Sequence, residues 1–600
     1  MAQRVIIPRL GQTMTEGTVA KWLAAQDQRV NAGDPVYELE YDKATAVVEA
    51  KKSGIFKRLA EEGAKAAVGE TVGVILEEGE KLEDILSQKT FTVANSAKAA
   101  SGSLYTQPEP EKKEAPKAAY TPPASFKCTG DCPRNKPANS TDTIVIGGGP
   151  GGYVAALRLA LLGAKVTLVE KDTLGGTCLN RGCIPTKALL QSAEMYTACL
   201  QAAEFGVKAE QVSFDYSVVC TRRKKTVDAL VGGVKGLLKA RKVEVISGEA
   251  AFEGPHTINV KLSDGTEKKL TADNIIIASG SVPAKPPIPG LDGKNVITSD
   301  EALVLESIPE SMVIIGGGVI GMELAMVFSS FNCTVTVVEA LPEILPGIDG
   351  EIAKNYRRIA AKRMAIYSGA AVASVTDAGD AKCVLFNKEG NEQKIEAQYV
   401  LVATGRRPET AALQLGAAGI KAERGRITVD DKWRTNIAGV YCIGDANGKT
   451  MLAHAASAQG IDAADLIMGH TPDAKRHRVI PACIYTDPEI ASVGRTEEQL
   501  KNEGMDYKAS KFSFRANGRA LTLGKAEGFV KILSDKVHNE VLGVHIMGPN
   551  ATELIGECAL AMRMECCLEE LAETIHAHPT LGEAVMEAAE AGLFGAIHSL

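Results

Sequence analysis

Twice along this chain a short apolar run enters a G-x-G-x-x-G loop, and each time a second apolar run follows and ends on an acid. That recurrence restricts the fold more than any other feature, because it is the pattern of a parallel strand, a phosphate-binding turn, a helix and a second parallel strand. Thr143-Ile144-Val145-Ile146 leads into Gly147-Gly148-Gly149-Pro150-Gly151-Gly152, and Val166 to Val169 delivers Glu170. Met312-Val313-Ile314-Ile315 leads into Gly316-Gly317-Gly318-Val319-Ile320-Gly321, and Thr334 to Val338 delivers Glu339. The first glycine of such a loop makes the tight turn, the second lets the backbone approach a pyrophosphate, the third lets helix and strand pack closely, and the acid takes a ribose hydroxyl. One such loop alone is weak evidence, but two with strand, helix and acid predict two dinucleotide sites. Three further apolar runs end in small residues: Ile275-Ile276-Ile277-Ala278-Ser279-Gly280-Ser281, Val402-Ala403-Thr404-Gly405-Arg406-Arg407-Pro408, and Val440-Tyr441-Cys442-Ile443-Gly444-Asp445. Such strand ends admit a flat ligand, and Asp445 offers an acceptor for a ribitol hydroxyl.

Just behind the first loop, Gly175-Gly176-Thr177-Cys178-Leu179-Asn180-Arg181-Gly182-Cys183-Ile184-Pro185-Thr186-Lys187 carries two cysteines with four residues between them. A regular helix would separate them by roughly 7.5 Å along its axis, beyond the span of about 4.4–6.8 Å that a disulfide bridges. Pairing therefore requires a local break, which Gly182 permits and Pro185 constrains. The segment reads as a redox disulfide beside a flavin, with two reduced core cysteines as the alternative.

From Thr141 onward the chain resembles the flavoprotein disulfide reductases, nearest to their dihydrolipoamide dehydrogenase branch. The closing stretch His576-Ala577-His578-Pro579-Thr580-Leu581-Gly582-Glu583 belongs to the same resemblance. The resemblance implies an FAD site of Gly147, Gly149, Gly152, Glu170, Lys171, Gly176, Thr177, Lys187, Ala250, Ser279, Gly280, Ser281, Asp445, Met451, Leu452, Ala453 and His454. It implies an NAD site of Gly316, Gly318, Gly321, Glu323, Glu339, Val372 and Gly405, with Lys187 and Glu323 paired near the flavin. It makes Cys178 the interchange thiol, Cys183 the thiolate against the flavin, and His578, held by Glu583, the acid/base that reaches the disulfide of a second subunit. Arg181, Thr186 and Ser279 depart from the family's usual residues, but none removes a reacting group. Glu339 favours NAD over NADP, because a carboxylate would repel a 2′-phosphate.

The first eighty residues read as all-β, with short apolar runs and glycine-led turns. They contain an echo: Asn31-Ala32-Gly33-Asp34-Pro35-Val36 resembles Ala67-Val68-Gly69-Glu70-Thr71-Val72, so two similar halves form a small sandwich or flattened barrel. Glu40-Tyr41-Asp42-Lys43-Ala44 stands between the halves, which places Lys43 at a hairpin tip. Here the chain resembles lipoyl (biotinyl-like) domains, and Lys43 matches their modified lysine. Biotin carriers favour methionines beside that lysine, whereas this chain has Asp42 and Ala44.

The expected organisation is a lipoyl domain over 1–80, an Ala/Pro/Lys linker over 81–140, an FAD-binding domain over 141–285 and an NAD-binding domain over 286–410. A central FAD-contacting region over 411–478 and an α+β dimerisation domain over 479–600 complete an α/β protein with two Rossmann-like domains. No run approaches the length of a membrane span. The net charge of −7 supplies no basic footprint for nucleic acid, and no apolar signal segment follows Met1. Thirteen cysteines, odd in number and scattered, fit a reducing cytoplasm. Cys128 and Cys132 in the linker lack neighbouring ligands for a metal, and no metal site is expected. The implied activity is oxidation of dihydrolipoyl groups by a homodimer working with a dihydrolipoyl acyltransferase or another lipoyl-bearing subunit. Rival readings are a glutathione or mercuric reductase, although the tail 594–600 lacks the cysteines a mercuric reductase needs, and a non-catalytic assembly subunit.

Overall fold

The computed structural model describes residues 3–8, 16–41, 44–76, 80 and 141–599. Lys43, the linker 81–140 and its Cys128 and Cys132 lie outside the described residues. The chain divides into two compact units, 1–123 and 124–600.

In the first unit, two four-stranded antiparallel sheets form an all-β body. One has the order Gln3–Ile6, Thr71–Leu76, Gly54–Arg58, Arg29–Val30; the other has Ala44–Glu49, Pro35–Tyr41, Glu16–Trp22, Lys65–Ala67. Strand Pro35–Tyr41 shows why these residues pair: Tyr37 and Leu39 point into the core while Glu38 and Glu40 do not. Trp22 lies with its ring centroid 5.2 Å from both Tyr37 and Phe56, at the centre of the core. The internal echo is structural. Asp34 accepts from the Asn31 amide and Glu70 from the Ala67 amide, each at 2.8 Å, and Gly33 and Gly69 both take a left-handed φ, +94° and +89°. The hairpin of Pro35–Tyr41 and Ala44–Glu49 closes with Tyr41 opposite Ala44.

In the second unit, strands Glu244–Gly254, Val166–Glu170, Thr141–Ile146, Glu267–Ile277 and Val440–Cys442 lie side by side in parallel, with Thr257–Leu262 antiparallel at one edge. Their apolar runs are buried on both faces, as parallel strands require. A second parallel sheet runs Val296–Thr298, Tyr399–Val402, Ser311–Ile315, Thr334–Glu339, Ala365–Ser368. A three-stranded antiparallel sheet over 370–397 packs beside it through Val375, Val384 and Phe386. The two Rossmann-like bodies are joined where Ser281–Pro283 pairs with Arg406–Pro408. The C-terminal part is a five-stranded antiparallel sheet backed by helices Ala551–Arg563 and Glu583–Leu593, whose Ile555, Val585 and Ala588 fill its core. The expected class is found: two Rossmann-like bodies, an α+β C-terminal domain and an all-β N-terminal unit. Among the described residues no helix is long and apolar enough to cross a membrane.

Phe56 is fully buried against Trp22, so Phe56→Ala should cost the first unit about 3–5 kcal/mol. In a Trp433→Phe background Trp22 is the sole tryptophan, and its emission should change at a lower urea concentration in the Phe56→Ala variant. An unchanged midpoint would mean that Phe56 does not carry this core.

Candidate functional site

Both glycine loops and both cysteines open onto one cavity of about 1390 Å³. The loops reach it because of what their glycines lack. Gly147 and Gly316 take φ of +103° and +108°. A Cβ on Gly152 would stand 1.8 Å from the Gly147 oxygen, and one on Gly321 would stand 2.0 Å from the Gly316 oxygen. Helices Pro150–Leu161 and Val319–Ser330 are thereby drawn down onto their strands, with their N-termini at the cavity and no side chain capping either. Uncapped N-terminal amides bind phosphate oxygens. A Cβ on Gly318, by contrast, would meet no atom within 4 Å, so the second glycine of that loop borders open space.

Of the remaining residues expected at the cofactors, Gly149, Glu170, Lys171, Gly176, Thr177, Lys187, Ala250, Ser279, Gly280, Ser281, Asp445 and 451–454 line the cavity, as do Gly316, Glu323, Glu339, Val372 and Gly405. Gly152 and Gly321 lie beneath the loops instead. Ser279 Oγ is buried on the wall with no hydrogen-bond partner, which suits a polar group of a bound flavin. Ser281 Oγ donates to Asp445 at 2.5 Å. Each strand-end acid is locked by its own loop: Glu170 accepts from the Gly148 amide and Glu339 from the Gly317 amide, both at 2.6 Å.

The helix that would carry the cysteines is broken at the anticipated point. Gly176–Arg181 ends at Gly182, and a second helix begins at Cys183. Both cysteines are free thiols, each interacting with the other across that break. Lys187 follows one turn later; its Nζ donates to both Glu323 oxygens, at 2.9 and 2.8 Å, and lies 4.5 Å from the centre of the Tyr485 ring. Arg181 pairs with Asp172 at 2.7 Å and lies 3.9 Å from Asp300.

Far along the sequence, His578 Nδ1 lies 2.8 Å from Glu583 Oε1, and Glu583 Oε2 accepts from the Thr580 amide at 2.7 Å. Burial alone would raise the Glu583 carboxyl, but the Thr580 amide and His578 hold it below the usual range. His578 is 78% exposed and does not line the cavity of its own chain.

Arg406 is a site residue that the sequence does not reveal. Its Nε donates to Ser281 Oγ at 2.8 Å, and its Nη2 donates to the Ser281 carbonyl at 2.7 Å and to Thr177 Oγ1 at 3.3 Å, tying the cysteine helix to the joint between the two parallel bodies. The one available signal is a basic pair directly after a glycine at the end of an apolar strand. His576 belongs to the closing motif, but its role also emerges only from the structure. It spans the Thr574 carbonyl and Glu557, both at 2.8 Å, and anchors the loop that presents His578.

The profile of the pyridine nucleotide-disulphide oxidoreductases matches residues 141–460, and that of their dimerisation domain matches 480–589. The chain belongs to this family. A third profile, that of the biotin/lipoyl domain described as "biotin-requiring enzyme", matches residues 3–75. The chain is 44% identical over 464 residues to dihydrolipoyl dehydrogenase of Geobacillus stearothermophilus, covering 77% of this chain and 98% of that protein. It is 43% identical over 462 residues to the Bacillus subtilis protein of the same name, covering 76% and 97%. Among solved structures, LpdA of Mycobacterium tuberculosis aligns with TM-score 0.70 and 29% identity, over 75% of this chain and 99% of that one. The HOCl-induced flavoprotein disulfide reductase RclA of Escherichia coli aligns with TM-score 0.68 and 27% identity, with the same coverage.

As a pyridine nucleotide-disulphide oxidoreductase the chain uses FAD and NAD, and the cavity has the glycine loops and the polar groups of Ser279, Ser281 and Asp445 to hold them. The thiol pair is electrically asymmetric. A hydrogen bond from Cys178, aided by the Lys187 charge, brings Cys183 down to about 7, while the same bond and burial push Cys178 up. One proton is thus shared between the sulfurs and kept on Cys178. The depressed Cys183 thiol adds stability as pH rises from about 7 toward the ordinary thiol range of about 8.5 and loses it as pH falls through about 7, whereas above that range the Cys178 thiol, held protonated, offsets the gain. In reduced protein the ultraviolet thiolate absorbance should therefore fall as pH is lowered through about 7, and Cys183→Ser should remove that step. A step that survives in Cys183→Ser would assign the thiolate elsewhere.

Proposed function

We propose that this chain is the dihydrolipoamide dehydrogenase of a 2-oxo acid (for example pyruvate) or acetoin dehydrogenase complex, and that it carries its own lipoyl group on Lys43. The observation that carries the reading is the asymmetric cysteine pair, which shares one cavity with two uncapped glycine-loop helices. The curated relatives bear the matching name, and the lipoyl-type unit on the same chain supports a shared chemistry.

In the resting enzyme Cys178 and Cys183 form a disulfide. A dihydrolipoyl thiol loses its proton to His578 Nε2, the ring nitrogen left free once Nδ1 faces Glu583. The resulting thiolate attacks the Cys178 sulfur, the S–S bond breaks, and Cys183 leaves as the thiolate that Lys187 stabilises. The second substrate thiol then attacks the substrate sulfur of this mixed disulfide. Cys178 leaves and takes the first proton from His578, whose ring then holds the proton of the second substrate thiol, and the lipoyl disulfide departs. Bound FAD supplies the two-electron relay from this dithiol to NAD⁺. Arg406, through Thr177 and Ser281, holds the cysteine helix against the flavin wall. Because His578 is exposed and off its own cavity, it serves a second copy of the chain, as the dimerisation domain supports. The Glu339 carboxylate, held on the Gly317 amide at the cavity, would repel a 2′-phosphate, so NAD is the acceptor. The odd, scattered set of thirteen cysteines, with a single redox pair, supports a cytoplasmic setting.

Cys178→Ser should abolish dihydrolipoamide:NAD⁺ turnover while keeping a flavin spectrum, and His578→Gln should slow turnover by about 10²-fold or more. Steady-state rates beside absorbance spectra decide it, and substantial turnover in Cys178→Ser would sink the disulfide route.

Lys43→Arg should abolish lipoylation and slow electron flow from the acyl-transferring partner, while free dihydrolipoamide is oxidised at the wild-type rate. Intact mass of protein made in a lipoylating host is the direct check. Unmodified Lys43 there would make the N-terminal unit a docking module.

A further inference from the structure

A lysine buried in a protein needs carboxylates around it, and Lys531 is 1% exposed. It stands on strand Phe529–Asp535 of the C-terminal sheet. Its Nζ lies 3.1 Å from both oxygens of Asp349, 2.6 Å from Glu497 Oε2 and 3.2 Å from Glu351 Oε2. Asp349 is itself fully buried and belongs to a distant part of the sequence. It caps helix Gly350–Ala360, with Oδ1 accepting from the Glu351 amide at 3.1 Å, and its Oδ2 accepts from the Glu497 amide at 3.3 Å. Burial alone would lower the Lys531 ammonium, yet Glu497 and Asp349 hold it above its ordinary value, and Lys531 with Tyr507 holds Glu497 down to about 2.

Asp349 closes the loop 341–348, which follows directly on the strand-end acid of the second glycine loop. Leu341 donates its amide to Glu339 Oε1 at 2.7 Å, and Leu345 donates to the Gly317 carbonyl at 2.8 Å. Leu345 takes φ +54°, a conformation a leucine keeps only when its surroundings hold it. Leu341, Pro346 and Ile348 line the cavity beside the second glycine loop. The loop is therefore gripped at its start by Glu339, in its middle by Gly317 and at its end by the ion cluster on Lys531.

We propose that Lys531 is a positioning residue for the nicotinamide nucleotide: by holding Asp349 it fixes the end of the 341–348 loop, and with it the cavity wall against which the nucleotide lies. The proposal rests on the reading that the second glycine loop takes NAD. Lys531 does not line the cavity, so it acts only through Asp349. It makes the C-terminal sheet a structural part of the nucleotide site.

The test uses the full-length flavin-loaded enzyme and its Lys531→Met variant. The NADH dissociation constant, measured by calorimetry, should rise about tenfold in the variant. Reduction of the Cys178–Cys183 disulfide by dihydrolipoamide without nucleotide, read by thiol titration, should proceed as in wild type. In nucleotide-free protein the Leu345 amide should exchange its hydrogen faster, and Lys531→Arg should recover most of the affinity. If Lys531→Met does not fold, Asp349→Asn, which keeps an oxygen for the helix cap, replaces it and should weaken NADH binding in the same sense. NADH affinity within about twofold of wild type in the folded variant, or unchanged Leu345 exchange, overturns the proposal. Wild-type protein that fails to bind NADH overturns the functional reading together with it, whereas equal binding by wild type and variant overturns the clamp alone.

Discussion

The site depends on a contact that no side chain makes. At Gly152 and again at Gly321 the helix backbone rests so closely on the loop before it that a Cβ would fall within 2.0 Å of a carbonyl oxygen. That approach lowers each helix onto its strand and brings its unpaired amides to the cavity, where phosphate can meet them. It also brings the Gly148 and Gly317 amides into reach of Glu170 and Glu339, so that loop, helix and strand-end acid form one rigid unit in each body.

On that frame the chemistry is arranged by charge. Lys187 is committed to a buried carboxylate, Glu323, which also accepts from the Tyr485 amide at 2.9 Å. Tyr485 in turn lies under the lysine. The cation is thereby fixed beside Cys183 without being free to wander into solvent, and a fixed charge in a partly desolvated site favours a thiolate more than a mobile one does. At the other end of the chain Glu583 performs a comparable task for His578, fixing one ring nitrogen and leaving the other to the proton. His578 lies away from the cavity that Lys187 lines, within the segment that matches the dimerisation-domain profile.

Much of this was legible because it rests on local rules. The strand-loop-helix units, the break at Gly182, the repeated turns at Gly33 and Gly69 and the pairing of Lys187 with Glu323 each follow from a residue type at a set spacing or from a family motif. Arg406 was not legible, because its partners Thr177 and Ser281 lie more than a hundred residues away and no short pattern joins them. Lys531 hides for a similar reason: within Phe529–Asp535 it looks like any outward lysine of an alternating strand, and only the folded chain encloses it with Asp349 and Glu497. Val440–Cys442 likewise reads as a separate apolar run, yet it pairs beside Glu267–Ile277 in the first parallel sheet.

The amino-acid sequence by itself determined the two nucleotide-binding bodies, the redox pair and the two-fold echo of the N-terminal unit, because glycine conformation, strand periodicity and cysteine spacing act over a few residues. Only the tertiary structure decided that both glycine loops open onto a single cavity, that Arg406 braces the cysteine helix and that a lysine of the C-terminal sheet clamps the loop beside the second glycine motif. Those outcomes depend on burial: a charge or a polar wall has a defined role only once the rest of the chain has excluded water from it.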